Sequence, residues 1–93
     1  MEKSFRWDAN KNAWLKANRG FGFETIVEAI ENGGLLADIM NPSSKHPKQR
    51  LYVVDLEGYA ITVPYVKENE YDFLKTAFKN RKANKQFLTE PKL

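Results

Sequence analysis

The chain has no cysteine and a single histidine among its 93 residues. Without cysteine there is no disulfide framework and no thiolate nucleophile, and a reducing compartment is allowed. One histidine, His46, with no closely spaced carboxylate pair does not assemble a zinc site, a two-metal site or a nucleophile triad. No apolar run approaches the length of a membrane span, and Met1 leads straight into charged residues without a signal-peptide core. A soluble cytoplasmic protein is the expectation. Glycine is too sparse for a phosphate-cradling loop, so Gly33-Gly34 reads as a helix stop. Repeats and low-complexity segments are missing as well. No cofactor is implied.

At 42% hydrophobic and 13% aromatic residues, the chain can bury a core, and its length suits one domain spanning 1–93. A net charge of +3 is compatible with nucleic acid without specifying it. The charge is unevenly spread. Residues 41–50 and 79–88 carry no acid, whereas residues 22–38 carry Glu24, Glu28, Glu31 and Asp38 with no base.

The pattern begins with a helix after Trp7-Asp8, with Asp8 as N-cap and Gly20 beyond its end. Lys11, Trp14, Leu15 and Asn18 share a face of it, with Trp14 and Leu15 expected in the core. A second helix runs from Phe23 to Asn32, where Phe23, Ile26, Val27 and Ile30 make the apolar stripe. Strands follow at 35–40, 50–56 and 59–66. The Glu57-Gly58 turn joins the last two as a hairpin. Pro64 is expected at an edge or a strand end, since it cannot donate to a ladder. A fourth strand at 73–78 leads to a short helix with Asn80 as N-cap. On that strand Leu74 and Phe78 are expected to face the core, leaving Phe73, Lys75 and Lys79 outward. The class is α+β: two N-terminal helices, a four-stranded antiparallel sheet and a short C-terminal helix.

Lys79, Arg81, Lys82 and Lys85 cluster where the last strand meets the last helix, and a helix N-terminus favours anions. Cations interleaved with aromatic residues suit single-stranded RNA, whose phosphates pair with cations while its bases stack on rings. Metal-free RNA cleavage is also chemically open. The 2′-hydroxyl is then the internal nucleophile, and the protein supplies a base, an acid and cations around the phosphorane. Arg50, Lys75, Lys79 and Arg81 are the candidate cations; Tyr52, Tyr65, Glu24 and His46 are the candidate proton-transfer groups. Spacing does not choose among them.

The stretch FRWDANKNAWLKANRGFGFETIVEAI resembles the opening of BrnT-type toxins of bacterial type II toxin–antitoxin systems. There a Trp-Asp-x-x-Lys start precedes a Gly-x-Ser-Phe-Glu-Glu helix. Gln49 to Val54 is similar to the family's Arg-led second strand, and Phe78 to Ala83 to its Ile-Ser-Ala-Arg-Lys/Arg-Ala corner. The resemblance implies a RelE-like fold, a ribonuclease that inhibits growth, and a cognate antitoxin of ribbon-helix-helix type that wraps the toxin into an oligomer. It carries over to Trp7, Asp8, Lys11, Phe23, Glu24, Arg50, Arg81 and Lys82. On this reading Arg50, Arg81, Lys79, Glu24 and His46 are catalytic candidates. Lys11, Arg19, Lys48, Lys75, Lys82 and Lys85 are RNA-binding candidates. Among the departures from the family, two alter catalytic candidates. Asn18-Arg19-Gly20 stands where it has Lys-His-Gly, and Thr76 stands where its last strand carries an arginine. A non-catalytic RNA- or protein-binding module is the alternative, and the acidic helix face from Glu24 to Glu31 suits a purely protein-binding subunit.

Overall fold

The computed structural model describes residues 4–41 and 48–88. Strand β1 (Phe5–Trp7) leads into helices α1 (Ala9–Arg19) and α2 (Phe23–Ala29), and α2 runs on into a widened π-type turn, Ile30–Gly34. Then come β2 (Leu35–Met40), β3 (Gln49–Leu56), β4 (Tyr59–Lys67), β5 (Asp72–Leu74), β6 (Phe78–Lys79) and helix α3 (Arg81–Phe87). The α+β class and the three helices are those read from the sequence, but the strands number six rather than four.

Two departures account for the extra strands. Phe5–Trp7 pairs parallel with β5, a contact between distant segments that no local pattern announces. The expected strand at 73–78 is broken in two, so β5 and β6 pair with different stretches of β4. The sheet order is β1-β5-β4-β3-β2, with β6 also against β4.

Local chemistry explains most of the boundaries. Asp8 caps α1 by accepting the Lys11 N–H at 2.9 Å. Helix α2 has no side-chain cap of its own. Instead Asn12, buried on α1, accepts the Phe23 N–H at 2.7 Å. A β-carbon at Gly22 would lie 2.7 Å from that same Asn12 oxygen, so only glycine lets the two helices approach this closely. The hairpin turn has φ of 53° at Glu57 and 87° at Gly58, the paired positive values of a type I′ turn.

Pro64 sits inside the central strand β4, opposite Leu51, and not at an edge. Its carbonyl accepts the Lys75 N–H, so its nitrogen faces the same side, where the partner chain leaves the ladder between β5 and β6. The missing donor therefore costs no hydrogen bond, and the break in the last strand is where the proline is accommodated.

Alternation divides the sheet into two faces. Tyr52, Val54, Ile61, Val63, Tyr65 and Leu74 pack beneath Leu15, Phe23 and Ile26 of the first two helices. Val53 and Ala60 on the other face pack with Ala83 of α3. Burying Leu15, Phe23 and Ile26 stabilises the fold by roughly 1.5–3 kcal/mol each. Trp14 is not in this core: it is 42% exposed, with Lys11 Nζ 4.3 Å and Arg19 Cζ 4.8 Å from its ring centroid.

Candidate functional site

At the end of the sheet nearest the β3–β4 turn lies an open cleft of about 600 Å³. Arg19 comes from the end of α1, Glu28 from α2, Glu57 and Tyr59 from the hairpin, and Lys79 from β6. The register sets Lys79 opposite Ile61, on the face covered by α1 and α2. Its ammonium stands 5.5 Å from the Tyr59 ring centroid. Arg19 reaches across to the interruption in the last strand. Its Nη1 donates to the Ala77 carbonyl at 2.5 Å and lies 3.5 Å from Thr76 Oγ1. An adjoining cavity of about 400 Å³ shares Arg19, Phe21 and Lys79. The cleft thus joins two cations, a phenol and three carboxylates around open space, the third being Asp55, which accepts the Gly58 N–H of the turn. Cations and acids together can hold a phosphate and move protons beside it.

A second group lies along the same face, towards the Arg50 end of the sheet. Tyr52 and Tyr65 stack with centroids 4.0 Å apart and an 8° interplanar angle. Their hydroxyls are buried, so each needs a partner. Tyr52 donates to Asp72, which is 3% exposed, and Tyr65 donates to Asp38 at 2.6 Å. Arg50 Nε donates to the same Asp38 oxygen at 3.1 Å, and its Nη2 to the Asp38 carbonyl at 3.0 Å. Burial, then the bond to Asp38, pushes the Tyr65 hydroxyl up to about 12. Burial first, and then the bond to Asp72, pushes Tyr52 up as well. The bond to Asp38, followed by that to Tyr65, raises the Arg50 guanidinium. This is a saturated network that joins β2, β3, β4 and β5.

Arg50 and Arg81, expected to converge, do not. Arg50 pairs with Tyr65 while α3 starts against Ala60, five residues along β4, which is roughly 17 Å. They also flank opposite faces of the sheet: Arg50 contacts Asp38 on the tyrosine side, and α3 packs on the Val53 side. Glu24 is not in the cleft either. It accepts Asn12 Nδ2 at 2.8 Å and Lys16 Nζ at 3.3 Å, and the Asn12 bond, chiefly, holds its carboxyl below the usual range. It clamps α1 to α2. The helix-start anion corner is also weaker than expected, because α3 has two turns and Asn80 Oδ1 already takes the Ala83 N–H at 3.0 Å.

The break at 75–77 reverses the expected phase of the last strand. Ala77 turns inward with Leu74, and Phe78 lies opposite Thr62 on the α3 face. Lys75 is exposed beside the Phe73 ring, and Lys48, Arg81, Lys82 and Lys85 are exposed. Lys11 rests on Trp14. His46 lies outside the described residues.

Of the named candidates, then, Arg19 and Lys79 meet in one place. Glu28, Glu57, Tyr59, the half-buried Asp38 and the buried Asp72 were not singled out as site residues. Only the Glu57-Gly58 turn signal pointed near them, since it sets Tyr59 at the start of a strand. Among the described residues, no three His, Cys, Asp or Glu side chains group so as to hold a metal ion. No helix among them is long and apolar enough to cross a membrane.

Comparison with known protein families, with curated proteins and with solved structures gave no match.

Proposed function

We propose that the chain is the toxin component of a type II toxin–antitoxin system, a cytoplasmic, metal-independent ribonuclease whose active surface is the Arg19–Lys79 cleft. The observation that carries this reading is the contact between Arg19 and Thr76. These are the two positions at which catalytic candidates of the BrnT-type pattern are altered, and they are neighbours in space. A guanidinium absent from the strand is supplied from the end of α1, so the departures compensate each other.

In this cleft Arg19 and Lys79 hold the scissile phosphate and stabilise the charge that grows on it. A cleft carboxylate, Glu28 or Glu57, takes the 2′-hydroxyl proton. The 2′-oxygen attacks phosphorus, the bond to the 5′-oxygen breaks, and Tyr59 gives that leaving oxygen its proton. The products are a 2′,3′-cyclic phosphate and a free 5′-hydroxyl. Arg81 follows Lys79 by two residues and leads the flanking backbone round to Lys82 and Lys85 on the opposite face of the sheet. A cognate antitoxin of the ribbon-helix-helix kind is the expected partner.

The test is incubation of purified protein with RNA in excess chelator, with end-group analysis of the products. Cyclic phosphate ends in the wild type, lost in Arg19→Gln and Lys79→Gln, support the reading. Intact RNA with the wild type contradicts it.

A non-catalytic RNA-binding module of the same fold is the second reading, favoured by the engagement of Arg50 with Asp38. It predicts steeply salt-dependent binding without strand scission.

A further inference from the structure

Four large hydrophobic side chains are exposed among the described residues, and three of them, Leu35, Ile39 and Met40, lie on β2. This strand ends the sheet, and among the described residues nothing pairs with its outer edge. The exposure covers both faces: Ile39 lies opposite Leu51, and Met40 opposite Arg50. Edge strands are ordinarily blunted by lysine, proline or an inward charge. Here there is no lysine or proline, and the one charge, Asp38, is held internally by Arg50 and Tyr65.

We infer that the outer edge of β2 is a docking site for an extended, acidic segment of a partner protein, which adds a strand to the sheet. Backbone pairing along Leu35–Met40 provides the register, and alternate apolar side chains of the guest cover Ile39 and Met40. The charge of the guest follows from the surroundings. Lys48 stands beyond the Met40 end, and Glu31 lies beyond the opposite end. Helix α3, whose Ala83 shares a core cluster with Val53 against which Leu36 and Ala37 pack, carries Arg81, Lys82 and Lys85, and residues 75–88 contain no acid.

The same feature argues against a second copy as the occupant. Antiparallel pairing of two β2 strands about a two-fold normal to the sheet sets both α3 helices side by side on one face, cation against cation. An acidic guest meets the same helix with attraction. This inference is independent of whether the cleft cleaves RNA.

The experiment selects a phage-displayed random dodecapeptide library on the full chain, then maps the winners by hydrogen exchange. The expected peptides alternate apolar residues with Asp or Glu, and they slow exchange of backbone amides within 35–40. Ile39→Lys, a surface change, should weaken them at least about tenfold, and 0.5 M salt should weaken them further. Winners without acid, protection away from β2, affinity unmoved by Ile39→Lys, or no enrichment each overturn it. So does a dimer in sedimentation velocity that Ile39→Lys dissolves, because the occupant is then a second copy.

Discussion

Arg50 and Lys79 lie on the same helix-covered face, yet their surroundings are opposite. Arg50 spends its guanidinium on the carboxylate and carbonyl of Asp38, inside a network that ends at two stacked tyrosines. Lys79 stands over Tyr59 with no ion pair among the described residues, in a cleft that Arg19 reaches from the far side. A cation whose donors are taken within the fold stabilises the fold. A cation facing open space is available to a ligand. On that contrast we propose structural work for Arg50 and ligand binding for Lys79, with Arg19 held at the cleft by its Nη1 bond to the Ala77 carbonyl.

That division can be broken most directly by activity. Arg19→Gln should lower RNA cleavage by about a hundredfold or more, because it removes a donor aimed at developing charge. Arg50→Gln should keep cleavage within about threefold of wild type while lowering the melting temperature. The reverse pattern moves the active surface to the Arg50 end.

The tyrosine network sharpens the comparison through pH. Tyr65 titrates near 10.0 when unfolded and at about 12 when folded, so the folded state holds its proton more tightly. Its contribution to stability is complete below the unfolded value and is lost as pH rises through that window. Denaturant melts should therefore show stability falling from pH 10 to about 12. Tyr65→Phe should flatten that fall and cost about 1 kcal/mol at neutral pH, through the lost bond to Asp38. Equal pH dependence in the two proteins removes Tyr65 as the cause.

Two smaller effects complete the set. Lys82→Gln, on the exposed side of α3, should reduce the slope of log affinity against log salt for RNA by about one, with little change in stability. Thr62 Oγ1 is buried without a partner, so Thr62→Val should be neutral or stabilise the fold by up to about 1 kcal/mol in a chemical melt. Destabilisation by more than that means the hydroxyl is bonded in solution.

Much of the fold was legible because its signals are local. Asp8, Asn80 and the Glu57-Gly58 turn each act over three or four residues, and each does in the structure what its type suggests. The parallel β1–β5 pairing was not legible, since Phe5–Trp7 is too short to show a period and its partner lies more than sixty residues away. Pro64 was misplaced for a related reason: whether its absent donor faces a neighbour depends on where the neighbouring strand breaks. That break then shifted the phase of every residue after Lys75, turning Ala77 inward and Lys79 to the cleft.

The site was less legible than the fold. Charge type named Arg19 and Lys79, which line one cleft, among many other cations, because sequence gives no account of which cations the fold already neutralises. Asp38 looked like one more acid in an acidic helix-to-strand segment, and it is the residue that occupies Arg50. Trp14 looked like core by spacing, yet its ring carries two cations at the surface.

The decisive measurement is cleavage of a defined single-stranded RNA in chelator by wild type, Arg19→Gln and Arg50→Gln side by side, read as cyclic phosphate ends. Product from wild type and Arg50→Gln, with almost none from Arg19→Gln, is the expected result. Loss of product in Arg50→Gln with Arg19→Gln still active, or no product from any of the three, contradicts the assignment of the cleft.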